Sequence, residues 1–150
     1  MSPDALSITL FLEIKIICFK KYIRMWSLLK KLKKLNIPEY NYAIFGGACL
    51  AARGIRETDD LDVVVSDDFY KTLTVKYEEK EPGKIEMENG SIEIYSAWNS
   101  LMDYPEEVIK RSEDINGYRF VLLKDVLEWK KKMGREKDIK DIKLIRSYGY

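Results

Sequence analysis

The stretch from Tyr42 to Val65, Tyr-Ala-Ile-Phe-Gly-Gly-Ala-Cys-Leu-Ala-Ala-Arg-Gly-Ile-Arg-Glu-Thr-Asp-Asp-Leu-Asp-Val-Val-Val, leaves few folds open. Tyr42 to Phe45 is an apolar, aromatic run of strand type. Ala48 to Arg53 is rich in alanine and leucine and stops at Gly54, as a short helix does. Asp60 to Val65 has the β-branched character of a second strand, with Leu61, Val63 and Val65 on its core face and Asp60 and Asp62 on the other. Strand, helix and strand in such quick succession require a layered α/β domain, so the pattern predicts an α/β (α+β) fold with a small mixed sheet flanked by helices.

Two chemistries are latent in this stretch. Gly46 and Gly47 fall at the strand-to-helix junction, where unpaired backbone N–H groups and the helix dipole favour a phosphate. A tight turn packed against a neighbour accounts for the same two residues. Asp60 and Asp62 have Cα atoms roughly 6.5 Å apart in a strand, near enough for both carboxylates to reach one hard cation or to bridge two. Carboxylates that close repel, and need a metal, a basic partner or solvent to stay ionised. A solvated strand entrance is the alternative.

Composition narrows the chemistry. The 150 residues, 46% hydrophobic, suit one domain with a core. A formal charge of +1 with 34% charged residues predicts a surface of mixed sign, so any nucleic-acid contact is a local patch. There is no histidine, which excludes Ser-His-Asp and Cys-His catalysis and His-ligated zinc. Carboxylate chemistry remains. Cys18 and Cys49 are too few for a zinc cluster; Cys49 reads as a buried free thiol, and the environment as reducing and cytoplasmic.

Elsewhere the signals are local. Leu6 to Phe19 is apolar, yet Glu13 and Lys15 leave it too short and too charged to span a bilayer, so no membrane is expected. Residues 1–24 read as an N-terminal extension, strand or helix, packed on a domain of residues 25–150, and Met25 offers a second possible start. Between Lys20 and Lys34, Ile23, Trp26, Leu29 and Leu32 recur at helical spacing, widened by Tyr22, Met25 and Leu28. The other face carries Lys20, Lys21, Arg24, Lys30, Lys31, Lys33 and Lys34, either solvated or a docking surface for tRNA, another polyanion or an acidic protein. Ser66 caps a short helix from Asp67 to Leu73. Asn89-Gly90 predicts a two-residue hairpin in which Glu86 faces Glu93 while Ile85, Met87, Ile92 and Ile94 line the buried face. The facing acids need screening or a shared cation. Pro105 opens a short helix, and Asn116-Gly117 precedes a strand from Tyr118 to Leu123. Asp125 and Glu128 resemble a capping box for a helix ending at Gly134, and a last helix, Glu136 to Ser147, is expected to bury Ile139, Ile142 and Ile145.

Taken together, apolar residue, Gly46-Gly47, twelve residues, then Asp60-Leu61-Asp62 resembles the signature of the DNA polymerase beta-like nucleotidyltransferase superfamily. Arg56-Glu57-Thr58-Asp59-Asp60-Leu61-Asp62 is similar to the Arg-x-Thr-x-Asp-apolar-Asp form of its small AbiEii-like and antibiotic nucleotidyltransferase-like branches. Lys130 followed by Gly134-Arg135-x-Lys137-Asp138-x-x-Asp141 resembles the ending of AbiEii-like domains. The resemblance, over roughly Met25 to Tyr148, implies transfer of a nucleoside monophosphate from an NTP, ATP among them, to a hydroxyl-bearing acceptor: a small molecule, a tRNA or a protein. It implies two Mg²⁺ ions, with Mn²⁺ as a substitute, on Asp60, Asp62 and Glu93, the last matching the apolar-acid-apolar third position, with Glu86 in reserve. Gly46, Gly47, Arg56, Thr58, Lys130 and Arg135 are the implied nucleotide contacts. The competing implication is a non-catalytic, regulatory nucleotide-, RNA- or protein-binding member, such as a toxin–antitoxin component.

Overall fold

Strands β1 (Tyr42–Phe45) and β2 (Leu61–Val65) lie antiparallel at the centre of a six-stranded mixed sheet. The structure, a computed structural model, describes residues 3–149. The sheet order is β3-β4-β2-β1-β6-β5, where β3 is Lys84–Met87, β4 is Ile92–Ser96, β5 is Glu113–Ile115 and β6 is Tyr118–Phe120. Both pairings outward from the centre, β2 with β4 and β1 with β6, are parallel, and each edge is closed by an antiparallel hairpin. Val63, Val64 and Val65 are all fully buried, so helices cover both faces of β2, not only the face assigned to Val63 and Val65.

The hairpin register follows the turn. Asn89 and Gly90 both have positive φ, 56° and 85°, as a tight hairpin turn requires, and Glu86 pairs with Glu93, Ile85 with Ile94 and Met87 with Ile92. The second hairpin, β5–β6 around Asn116-Gly117, adds a strand that the sequence reading left out and shortens the expected Tyr118–Leu123 strand to Tyr118–Phe120. The residues after Phe120 leave the sheet to enter a helix.

Among the described residues six α-helices accompany the sheet: α1 (Pro3–Lys33), α2 (Gly47–Ala52), α3 (Asp67–Thr74), α4 (Pro105–Lys110), α5 (Leu123–Met133) and α6 (Glu136–Ser147). Ser66 caps α3 by accepting the Phe69 N–H, and Gly134, in the left-handed region at φ 62°, ends α5. The expected capping box at Asp125 and Glu128 does not form. Helix α5 starts two residues before Asp125, whose carboxylate instead takes a bidentate pair from Arg111 (2.7 and 2.8 Å).

Two expectations about helix faces are corrected. Helix α1 runs unbroken across residues 24 and 25, and the large side chains before Met25 are not buried against the domain: Ile8, Leu10, Phe11, Leu12, Ile14, Ile16, Ile17 and Phe19 are 51–62% exposed. Burial sets in at Met25 and continues with Leu28, Leu29 and Leu32, whereas Tyr22 and Ile23 stay exposed, because only the C-terminal turns of α1 reach the sheet. In α6, Ile139 is half exposed and Ile142 only partly covered; the buried stripe is Asp138, Asp141 and Ile145. Two acids take core positions since cations wait there for them. Among the described residues no helix is long and apolar enough to cross a membrane.

Candidate active site

The cleft forms where β1 hands over to α2. Gly46 has φ 67°, a conformation that a side chain disfavours, and a Cβ built on it would lie 2.6 Å from Asp62 Oδ2. A Cβ on Gly47 would lie 2.7 Å from Arg56 Nη2. A side chain at Gly46 is disfavoured by the backbone itself, and one at either position would have to displace the tip of Asp62 or Arg56.

Asp62 sits on the central strand, paired in register with Glu93 on β4, and Asp60 stands just before β2. Adjacent parallel strands therefore bring three carboxylates to one end of the sheet. Burial, then the charges of Glu93 and Asp60, push the Asp62 carboxyl up to about 6, opposed more weakly by Lys137 and Lys130. Burial and the charges of Asp59 and Glu93 also raise Asp60, against the pull of Arg24 from α1. Among the described residues no hydrogen bond or ion pair holds either aspartate.

Glu93 differs. Its Oε2 accepts a hydrogen bond from the Tyr95 hydroxyl and lies 3.2 Å from Lys84 Nζ, which also reaches Glu86 at 3.5 Å. Lys84 is the shared cation that the facing acids needed. Among the described residues the acids do not converge into a ready-made ligand cluster, in keeping with a Glu93 turned toward Lys84 and Tyr95. Hard oxygen donors with raised pKa values and no cation on the two aspartates nevertheless fit Mg²⁺ in chemistry and charge.

The opposite wall is a buried ladder of alternating charge. Arg56 holds Asp141 with Nε and Nη2 (2.8 and 3.0 Å), Lys130 Nζ lies 2.8 Å from Asp141 and 3.4 Å from Asp138, and Arg135 Nε donates to Asp138 at 2.6 Å. Lys130, Asp138 and Asp141 are 3%, 0% and 5% exposed. Burial alone would raise both carboxyls, yet the Arg135 hydrogen bonds lower Asp138, and those from Arg56 and Lys130 lower Asp141. An aromatic corner adjoins the ladder: Phe45 meets Tyr95 and Trp129 edge-on, with ring centroids 5.7 and 5.3 Å apart, and Trp129 Nε1 donates to the Ser100 carbonyl at 3.0 Å.

Gly46, Gly47, Arg56, Thr58, Asp60, Asp62, Glu93, Lys130 and Arg135, named from sequence, all line this one cleft of about 380 Å³. Glu86 does not; it is on the edge strand, beside Glu78, Glu79 and Lys80. Sequence reasoning gave no role to Lys84, Tyr95 or Trp129, and it read Lys137, Asp138 and Asp141 as parts of a charged C-terminal ending without the burial of the two acids. The available signal was the i,i+3 spacing of Asp138 and Asp141, which places both on one helix face, but nothing local says that the face is buried. A larger, apolar cavity of about 690 Å³ lies between α1 and the Ala51–Thr58 loop and contains none of the three strand carboxylates. No protein-family model matches the chain, and no curated protein matches it.

Proposed function

We propose that the chain is a metal-dependent nucleotidyltransferase that moves a nucleoside monophosphate from an NTP to a hydroxyl-bearing acceptor with release of pyrophosphate. The observation that carries this reading is the convergence of residues from five separated stretches of sequence, 46–47, 56–62, 93, 130 and 135, on one cleft.

Asp60, Asp62 and Glu93 would hold Mg²⁺. When bound, the metal neutralises triphosphate charge and lowers the pKa of the attacking hydroxyl. The residues of the chain position the reactants around it. Gly46 and Gly47, at the turn that borders the cleft, would offer backbone N–H groups to phosphate oxygens. Arg56 and Arg135, each fixed by a buried aspartate, face the cleft as positive charges for the triphosphate. Thr58 borders the same space. In the reaction the acceptor oxygen forms a bond to the α-phosphorus, the bond from that phosphorus to the α,β-bridging oxygen breaks, pyrophosphate departs, and the hydroxyl proton is lost to water. No imidazole is needed, consistent with a chain without histidine.

One observation favours the second reading, a regulatory member that binds without turnover: Glu93 is engaged by Lys84 and Tyr95. Incubation with each labelled NTP and Mg²⁺ in cell extract, followed by sorting of label into small-molecule, RNA and protein fractions, separates the two. Transfer that is lost in Asp60→Asn and Asp62→Asn supports the enzyme; tight Mg·NTP binding with label in no fraction supports the regulator. Retention of transfer in either aspartate variant refutes the metal roles.

A further inference from the structure

The N-terminal half of α1 exposes more apolar surface than a lone domain carries. Ten large apolar side chains between Ile8 and Ile23 are 46–62% exposed. At about 150–250 Å² for a large side chain, half exposure leaves on the order of 1,000 Å² along one helix, above the roughly 300–600 Å² of the largest patch on a typical monomer. The residues fall on two faces: helical spacing sets Leu12, Ile16 and Phe19 on one side, and Leu10, Ile14 and Ile17 on the other. A helix lying on a bilayer surface keeps one face polar, and no described helix is long and apolar enough to cross one. A helix apolar on both sides calls for protein on both sides.

The same chain offers a groove for such a helix. The apolar cavity of about 690 Å³ is lined by Leu12, Ile16 and Phe19 from α1 and by Ala51 and Ile55 from α2 and the turn that follows it. At a helix diameter of about 10 Å, that space holds about one and a half turns of helix. Lys15, the charged α1 residue in the lining, already sits over the Phe11 ring, 4.5 Å from its centroid. Charge does not oppose a second copy: Ala5 to Phe19 carries one acid and one base, Glu13 and Lys15, and the whole chain only +1. One chain thus presents both a groove and a helix that suits it, the condition for a self-complementary two-fold contact. Arg56 and Thr58 line both this groove and the candidate active site.

We propose that the chain pairs with a second copy of itself through α1, the Leu12 to Phe19 segment of each helix lying in the groove of the other. Leu12, Ile16 and Phe19 then meet their counterparts across the two-fold axis, while Leu10, Ile14 and Ile17 meet the wall at Ala51 and Ile55 of the second copy. Covering both faces of the two helices together with the two walls buries on the order of 1,200–1,600 Å² in total, within the range of stable protein–protein interfaces. The pairing is independent of the reaction assigned to the cleft.

The test is sedimentation velocity of the full chain from about 1 to about 100 μM, for wild type, for Leu12→Asp/Ile16→Asp and for Val75→Asp, an exposed control outside the helix and the groove. Wild type is expected at twice the 17.6 kDa mass of the chain, and Val75→Asp likewise. The double variant should be monomeric, its dissociation constant raised at least about 100-fold by carboxylates forced into an apolar contact. Near-ultraviolet circular dichroism shows whether it is folded. Hydrogen exchange reads the same contact without substitution: the amides of residues 8–19 should be better protected at about 100 μM than at about 1 μM, and this decides the matter if the variant misfolds. A wild type that is monomeric at about 100 μM overturns the proposal, whether anionic vesicles or another protein then bind α1. So does a dimer that survives Leu12→Asp/Ile16→Asp, or one in which exchange at these amides ignores concentration.

Discussion

At Asp62, burial and two like charges oppose ionisation and outweigh the pull of Lys137 and Lys130, so the folded carboxyl has a pKa of about 6 against the ordinary 3.8. A carboxyl whose pKa rises on folding contributes stability that is complete below the unfolded value and is lost as pH rises through the folded one. In the absence of divalent ions, wild type should therefore weaken between about pH 4 and 7, by about 1–3 kcal/mol. Asp62→Asn should be flatter over that range, more stable than wild type at pH 7.5 and no different below pH 4, as read by urea denaturation. Equal slopes for the two proteins would show that Asp62 is not destabilised by its surroundings. Gly46 and Gly47 were legible as a strand-to-helix turn from their place before a helix, but their surroundings were not. The sequence suggests room for a phosphate, whereas the structure adds that Asp62 and Arg56 already fill the two Cβ sites.

Helices α5 and α6 are joined through Gly134 and cross-linked by the ion pairs of Lys130 with Asp138 and Asp141. Lys130→Met should cost about 3–5 kcal/mol, because it leaves Asp138 and Asp141 short of a cation in a buried site; thermal denaturation measures it. On the β3–β4 hairpin, Glu93→Gln should abolish Mg²⁺-dependent transfer, while Glu86→Gln, one strand farther out, should leave the rate within about two-fold. Steady-state rates of the two variants decide between them. The hairpin was legible to the residue, since Asn89-Gly90 fixes the register and the register fixes which acids face each other. The buried face of α6 was not. Periodicity assigns apolar residues to the core, and Asp138 and Asp141 displace Ile139 only because Arg56 and Lys130 approach from other elements while Arg135 reaches in from the helix's own N-cap.

For the molecule as a whole, Mg²⁺ is expected to act as a folding ligand, since it relieves the repulsion among Asp60, Asp62 and Glu93 that the native state alone creates. Saturation at about 100 times the dissociation constant corresponds to about 2.7 kcal/mol, a rise in Tm of about 5–10 °C for a chain of this size. Differential scanning fluorimetry should show that rise in wild type and its loss in Asp62→Asn; an equal rise in both would place the metal elsewhere.

What the sequence determined is what lies within a few residues: the strand–glycine–helix turn, the alternating aspartates, the Asn-Gly register and the stop of α5 at Gly134, each set by backbone sterics and side-chain alternation. Tertiary structure decided what depends on distant partners. It set β2 between β1 and β4, brought Glu93 rather than Glu86 beside Asp62, buried Lys130 between two aspartates and left the large apolar side chains of the N-terminal half of α1 more than half exposed. The physical reason is that alternation and turn geometry act through adjacent peptide units. Burial, pKa and charge pairing are properties of the space that distant segments enclose together.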